Sequence, residues 1–147
     1  MQVELQDVHP LAIPINLRTG LEELCILLTK EDTKFAKDVL LKERVGLPFV
    51  GLQNHFVQNS TIVVAIHNGD VVGFVSYFDD DKSRAIDLMC VHPEYRRKGI
   101  ARQLLTKALE HAPTFVDVSV VITNDAGKAL YESMGFKAFV TTMVKVN

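Results

Sequence analysis

The sequence predicts an α/β fold, a single domain over residues 1–147 in which helices flank a mixed, mainly antiparallel central sheet. Three observations carry the prediction. TIVVAIH and VVGFVSYF flank Asn68-Gly69, the dipeptide that tolerates the positive φ angles of a tight hairpin turn. IARQLLTKALEH is apolar at 100, 101, 104, 105, 108 and 109, the stripe of an amphipathic helix. From Thr61 onward, β-type and helical segments follow in the order β, β, β, α, β, α, β, which suits a layered fold with one sheet.

In chain order, the elements read as follows. A short N-terminal segment has some alternation at Val3 and Leu5. From Leu21 to about Val45, apolar residues recur at helical spacing (Leu21, Leu24, Cys25, Leu28, then Phe35, Ala36, Val39, Leu40), as one broken helix or two. A further helical segment follows Pro48, with Val50, Phe56 and Val57. After the hairpin, the acidic tip DDDKS reads as a solvated turn at Asp79 to Asp81 without a role, and AIDLMCV (85–91) as a third strand. HPEYRRKG then leads into the amphipathic helix. FVDVSVVIT (115–123) reads as a buried strand, Asn124 or Asp125 caps a short helix to Met134, and Gly135 suits its left-handed stop. FKAFVTTMVKV closes the chain as a last strand.

Composition narrows the function. Hydrophobic residues make up 48% and charged ones 23%, a globular balance, and the net charge of −2 gives no global attraction to nucleic acid or to an anionic membrane. Cys25 and Cys90 lie in apolar stretches without metal-ligand spacing, so no metal site and no disulfide framework is expected, and buried free thiols fit a reducing compartment. No apolar run reaches the length of a membrane span and the N-terminus lacks a signal-peptide pattern, so the expected location is cytoplasmic. His55, His67 and His111 are scattered and read as surface or locally bonded side chains.

The chemistry concentrates in HPEYRRKGIA (92–101). A strand end, a short loop and a glycine opening a helix leave backbone N–H groups without intrahelical partners and backed by the helix dipole, which suits an anion. Gly99 removes a Cβ from the path of a phosphate, small Ala101 leaves the first turn uncrowded, and Arg96, Arg97 and Lys98 add mobile charge. From this stretch alone, a solvated basic loop before a helix is an equal reading. Neither GxxxxGK[ST] nor GxGxxG is present.

The motifs together resemble the GNAT superfamily of acyl-CoA-dependent N-acetyltransferases. Arg96-Arg97-Lys98-Gly99-Ile100-Ala101 matches its Arg/Gln-x-x-Gly-x-Gly/Ala signature, VHPEY precedes it, and Asn124 followed by LYESMGF (130–136) matches a second family stretch. The resemblance covers about residues 61–147. It implies that backbone amides of about Arg97, Lys98, Gly99, Ile100 and Ala101 hold the pyrophosphate of acetyl-CoA, with Arg96 in support. It implies too that backbone groups of Met89 and Val91 pair with the pantetheine arm like an added strand, that Asn124 contacts the pantetheine region, and that Tyr131 stands near the thioester sulfur as general acid. The family's partner is an amine-bearing acceptor, and exposed sheet edges in such folds can pair into homodimers.

The reaction itself demands a base. An amine with a pKa near 10.4 is neutral in only about one molecule in two thousand at pH 7. Asp87 is the candidate, on the same face as Met89 if the strand is regular, with pairing to a neighbouring cation or capping a loop as the competing role. Cys90 reads as a buried hydrophobe rather than a nucleophile, and Tyr131 as a core tyrosine if not the acid. Two other readings stand beside the acetyltransferase. One is a fold-alike that binds acyl-CoA as a sensor or regulatory module without turnover. The other, nucleic-acid binding through RRK, lacks an aromatic platform.

Overall fold

The computed structural model describes residues 1–40, 49, 51–143 and 145. Its elements are β1 (Glu4–Val8), α1 (Ile15–Leu40), α2 (Leu52–His55), β2 (Thr61–His67), β3 (Asp70–Asp79), β4 (Ser83–Val91), α3 (Ile100–Ala108), β5 (Phe115–Val118) and α4 (Asp125–Ser133), with a 3₁₀ turn at Pro93–Tyr95. The strands lie in the order β1-β2-β3-β4-β5, antiparallel except for the parallel β4–β5 pair. The expected mixed α/β architecture is the one observed.

The sheet separates two apolar layers. β2 is buried on both faces, so its run from Ile62 to Ile66 is apolar throughout. Ile62, Val64 and Ile66 pack with Leu17, Leu21, Leu24 and Cys25 of α1, while Val63 and Ala65 pack with Ile100, Leu104, Leu105 and Ala108 of α3. The hairpin turns on Asn68 at φ 50° and Gly69 at φ 85°, the left-handed pair its sequence requires. α1 crosses β3 so closely that a Cβ on Gly20 would lie 2.8 Å from the Val71 Cβ.

Several boundaries differ from the sequence reading. α1 begins at Ile15, because Leu17 continues the Leu21 and Leu24 stripe one turn earlier among polar neighbours that masked it. The part of that expected helix at 41–45, and Val50 after Pro48, lie outside the described residues. β5 stops at Val118 instead of 123, since its pairing with β4 ends at Ile86↔Val118. Phe136 to Met143 form no strand among the described residues: a strand needs a ladder, and Phe139 and Met143 stand 96% and 91% exposed.

The acidic tip is more structured than a solvated turn. Asp80 Oδ1 accepts from the N–H groups of Lys82 and Ser83, and Asp79 takes both oxygens to Arg84 at 2.7 and 2.9 Å. Arg84 is buried, donates to the carbonyls of Ala108 (2.7 Å) and Glu110 (3.0 Å) at the end of α3, and lies 4.2 Å over the Tyr77 ring. A buried guanidinium with carboxylate and carbonyl partners ties the start of β4 to the helix beneath it.

Candidate active site

β4 has two edges with different fates. Towards β3 it pairs along its length, from Arg84↔Asp79 to Val91↔Gly73. Towards β5 it pairs only from Ser83 to Ile86. Beyond Ile86 the pairing with β5 stops, and the edge from Asp87 to Val91 has no strand partner on that side among the described residues, a gap in the ladder.

A β-bulge sits at the parting. Tyr77 pairs with Ile86 but Val75 with Met89, so Ser76 faces both Asp87 and Leu88, and the buried Ser76 Oγ accepts from the Leu88 N–H at 3.2 Å. The extra residue reverses the side-chain alternation. Ile86 and Met89 both pack on the α3 side, Leu88 and Cys90 on the α1 side. The expectation that Asp87 shares a face with Met89 therefore fails, because it assumed a regular strand. No sequence signal beyond a polar Ser76 inside an apolar strand marks the bulge.

The peptide groups of Met89 and Val91 point away from β3. The His92 N–H donates to Val72 of β3 at 2.8 Å, so by alternation the polar groups of Val91 and Met89 turn to the gap. The Val91 carbonyl indeed accepts from Arg96 Nε at 2.8 Å. Arg96 is thus held in place: it also pairs with Glu31 on α1, at 2.7 Å.

The loop after β4 turns twice through the left-handed region before α3. Arg97 (φ 62°) and Gly99 (φ 80°) are both left-handed, and Gly99 opens α3 without a side-chain cap among the described residues. The first amides of α3, at Ile100 and Ala101, precede the first intrahelical bond, from the Gln103 N–H to the Gly99 carbonyl, and so have no carbonyl of their own helix to bond. A Cβ at Gly99 would meet no described atom within 4 Å, so the space is open and the left-handed backbone is what demands glycine. Arg97 and Lys98 are exposed beside it. These features fit a pyrophosphate.

Asn124 is the N-cap of α4, its Oδ1 accepting from the Gly127 N–H at 3.0 Å, which leaves its amide N–H groups as donors. Gly127 makes room for this cap, since a Cβ there would lie 2.8 Å from Asn124 Nδ2. Tyr131, on α4, is half-buried, edge-to-face with Phe136 at 5.7 Å, and shares the α3-side cluster with Met89, Val91, Ile100 and Ala101. Burial raises its hydroxyl pKa, and the charge of Asp32 on α1 adds to the rise. α1 packs on the opposite face of the sheet from α4, so the Asp32 effect reaches across from one layer to the other.

Asp87 is exposed as a residue, yet protein packed around its carboxylate desolvates it and raises its pKa, opposed by the His55 imidazole. His55 is lowered by burial, opposed by Asp87. His55 lies on α2, edge-to-face with Phe56 at 5.4 Å, and its link to Asp87 could not be read from scattered histidines. Cys90 is buried and desolvation pushes its thiol up to about 11, in keeping with an inert hydrophobe; Cys25 rises likewise to about 12. Glu31, Asp32, His55 and Ser76 are the site neighbours that sequence reasoning missed.

The family model described as "Acetyltransferase (GNAT) domain" matches residues 58–138, more than half of the chain. The chain belongs to the GNAT acetyltransferase family. Among curated relatives of this GNAT domain, it is 36% identical over 80 residues to the spore coat polysaccharide biosynthesis protein SpsD of Bacillus subtilis (strain 168), covering 52% of this chain and 28% of that protein. It is 40% identical over 80 residues to N-acetylaspartate synthetase of Xenopus tropicalis, covering 50% of this chain and 30% of the relative. The chain thus spans less than a third of the length of these relatives in the match. In fold it is similar to AAC(6')-Iy solved with a bisubstrate analogue of CoA, at TM-score 0.67 and 13% identity, covering 100% of this chain and 99% of that one. Among the described residues no helix is long and apolar enough to cross a membrane.

Proposed function

We propose that this GNAT domain transfers the acetyl group of acetyl-CoA directly to an amine. The observation that carries the reading is the gap-facing edge of β4 at Met89 and Val91 running into the left-handed turn at Gly99. The edge offers peptide groups spaced for a pantetheine arm, and the turn offers amides and the α3 dipole for the pyrophosphate. Family membership and the N-acetyl product named in one relative support transfer to nitrogen.

The chemistry divides between two residues. Asp87, raised by desolvation, is a better base than an ordinary aspartate and takes the proton of the acceptor ammonium, directly or through a water. The amine lone pair then attacks the thioester carbonyl carbon. As the tetrahedral intermediate collapses, the C–S bond breaks and the thiolate takes the Tyr131 hydroxyl proton, which the raised pKa has kept in place. The cationic nitrogen of the adduct gives its second proton to the tyrosinate, directly or through a water, Asp87 releases the first to solvent, and acetylated amine and free CoA leave. Asn124 supports the pantetheine arm through its amide N–H groups.

An acceptor panel of amino acids, polyamines, aminoglycosides and peptide N-termini tests this, with free thiol release from acetyl-CoA as the signal. Turnover with at least one amine, lost in Tyr131→Phe, is the expected result. Saturable CoA binding with no thiol release across the panel would instead identify a sensor.

A further inference from the structure

Arg96 makes two contacts that a phosphate-binding cation does not need. Its Nε donates to the Val91 carbonyl at 2.8 Å, and its Nη2 donates to Glu31 Oε1 at 2.7 Å. These two donors form one edge of the rigid guanidinium plane, so a single side chain bridges a strand edge and a helix 65 residues earlier in the chain. The carbonyl it holds is one that faces the gap. A group bonded there stands on the gap side of β4, where the donor of an added strand would have to be.

We propose that Glu31 is a positioning residue that acts through Arg96, latching the guanidinium onto the Val91 carbonyl so that coenzyme binding has to exchange the latch. This rests on the coenzyme reading of the β4 edge. On binding, a pantetheine amide N–H replaces Arg96 Nε at Val91, and the freed guanidinium, no longer neutralised by Glu31, turns its charge to the pyrophosphate. Both partners of the ion pair are partly solvated, Arg96 at 42% and Glu31 at 31% side-chain exposure, which keeps the latch weak enough to be exchanged. In the sequence Arg96 reads as one of three cations beside the loop. The latch makes it the one whose availability is governed from α1.

The test is direct binding without an acceptor, on the wild type and Glu31→Gln. CoA is titrated calorimetrically, and pantetheine, which has no phosphate, is titrated by NMR, whose amide spectrum also reports that the variant is folded. Removing the latch should tighten CoA by roughly 2- to 5-fold, the range of an exposed ion pair. Pantetheine should tighten in the same direction. Unchanged or weaker CoA binding overturns the latch. So does tighter CoA with unmoved pantetheine, because that pattern is simple relief of repulsion between Glu31 and the phosphates. If the wild type binds no CoA at all, the coenzyme reading falls and takes the latch with it.

Discussion

β2 and β5 are both apolar strands of one sheet, yet they end in opposite situations. The five residues Ile62 to Ile66 are buried, whereas β5 buries none of its four fully and leaves Phe115 68% exposed. The difference is pairing. β2 is laddered on both sides and covered by a helix layer on each face, while β5 follows β4 only to Ile86 and then departs. The well-paired region supplies stability; the region where pairing fails carries the candidate site. β4 belongs to both, closed at Arg84 and open from Asp87.

The largest expected effect comes from breaking the closed end. Arg84→Met strands the Ala108 and Glu110 carbonyls and the partner carboxylate, costing about 3 kcal/mol, the lower part of the range for a buried pair since Asp79 is 45% exposed. Urea unfolding should register that loss.

At the open end, the response should be catalytic. Tyr131→Phe should lower kcat by about 10²-fold, near 2.7 kcal/mol, with CoA affinity and urea midpoint nearly unchanged. A stability loss without a rate loss would return Tyr131 to the core.

A smaller contrast lies within the loop. Gly99→Val forces a β-branched residue into φ 80°, a strain of about 1–2 kcal/mol, whereas Lys98→Ala removes one exposed charge. CoA binding by calorimetry should therefore weaken more in the glycine variant, by about tenfold, and the reverse order would show that charge governs the loop.

The smallest effect is also the sharpest in sign. The hydrogen bonds from Arg84 hold the Asp79 pKa below the usual carboxylate range, so its stabilisation is present above the unfolded pKa and is lost as pH falls through the folded one. Asp87 is shifted the other way by desolvation, so its ionised form costs stability above the folded pKa, a cost removed by protonation. At neutral pH, Asp79→Asn should lower the melting temperature and Asp87→Asn should raise it slightly. Only Asp87→Asn should also remove the acid-side fall of kcat/KM, where the wild-type base becomes protonated. Matching shifts of Tm in the two variants would break the division between the two ends of β4.

Much of this was legible in the sequence because it is local. Asn68-Gly69 fixes a hairpin through its own φ angles, the Ile100 to Leu109 stripe fixes α3, and Asn124 to Gly135 carries both ends of α4. The motif at Arg96 to Ala101 was readable for the same reason, and so was the family. What was hidden depends on partners. The FVDVSVVIT run has the composition of a buried strand, and only the departure of β4 leaves its second half without a ladder. Asp87 and Met89 alternate correctly in sequence, and a bulge answered by Ser76 sets them on different faces. His55 gave no spacing signal because its counterpart is on a strand far along the chain.

By itself, then, the sequence determined the order of elements from the hairpin at Asn68-Gly69 to α4, the turns and caps, and the left-handed glycine that opens α3, since each depends on backbone preferences within a few residues. The tertiary structure alone decided where β4 and β5 part, that Arg84 seals one end of that junction, and that Glu31 reaches Arg96 at the other. Those features arise from groups brought together across long stretches of chain, where hydrogen bonds and charge pairs form only after the layers have packed.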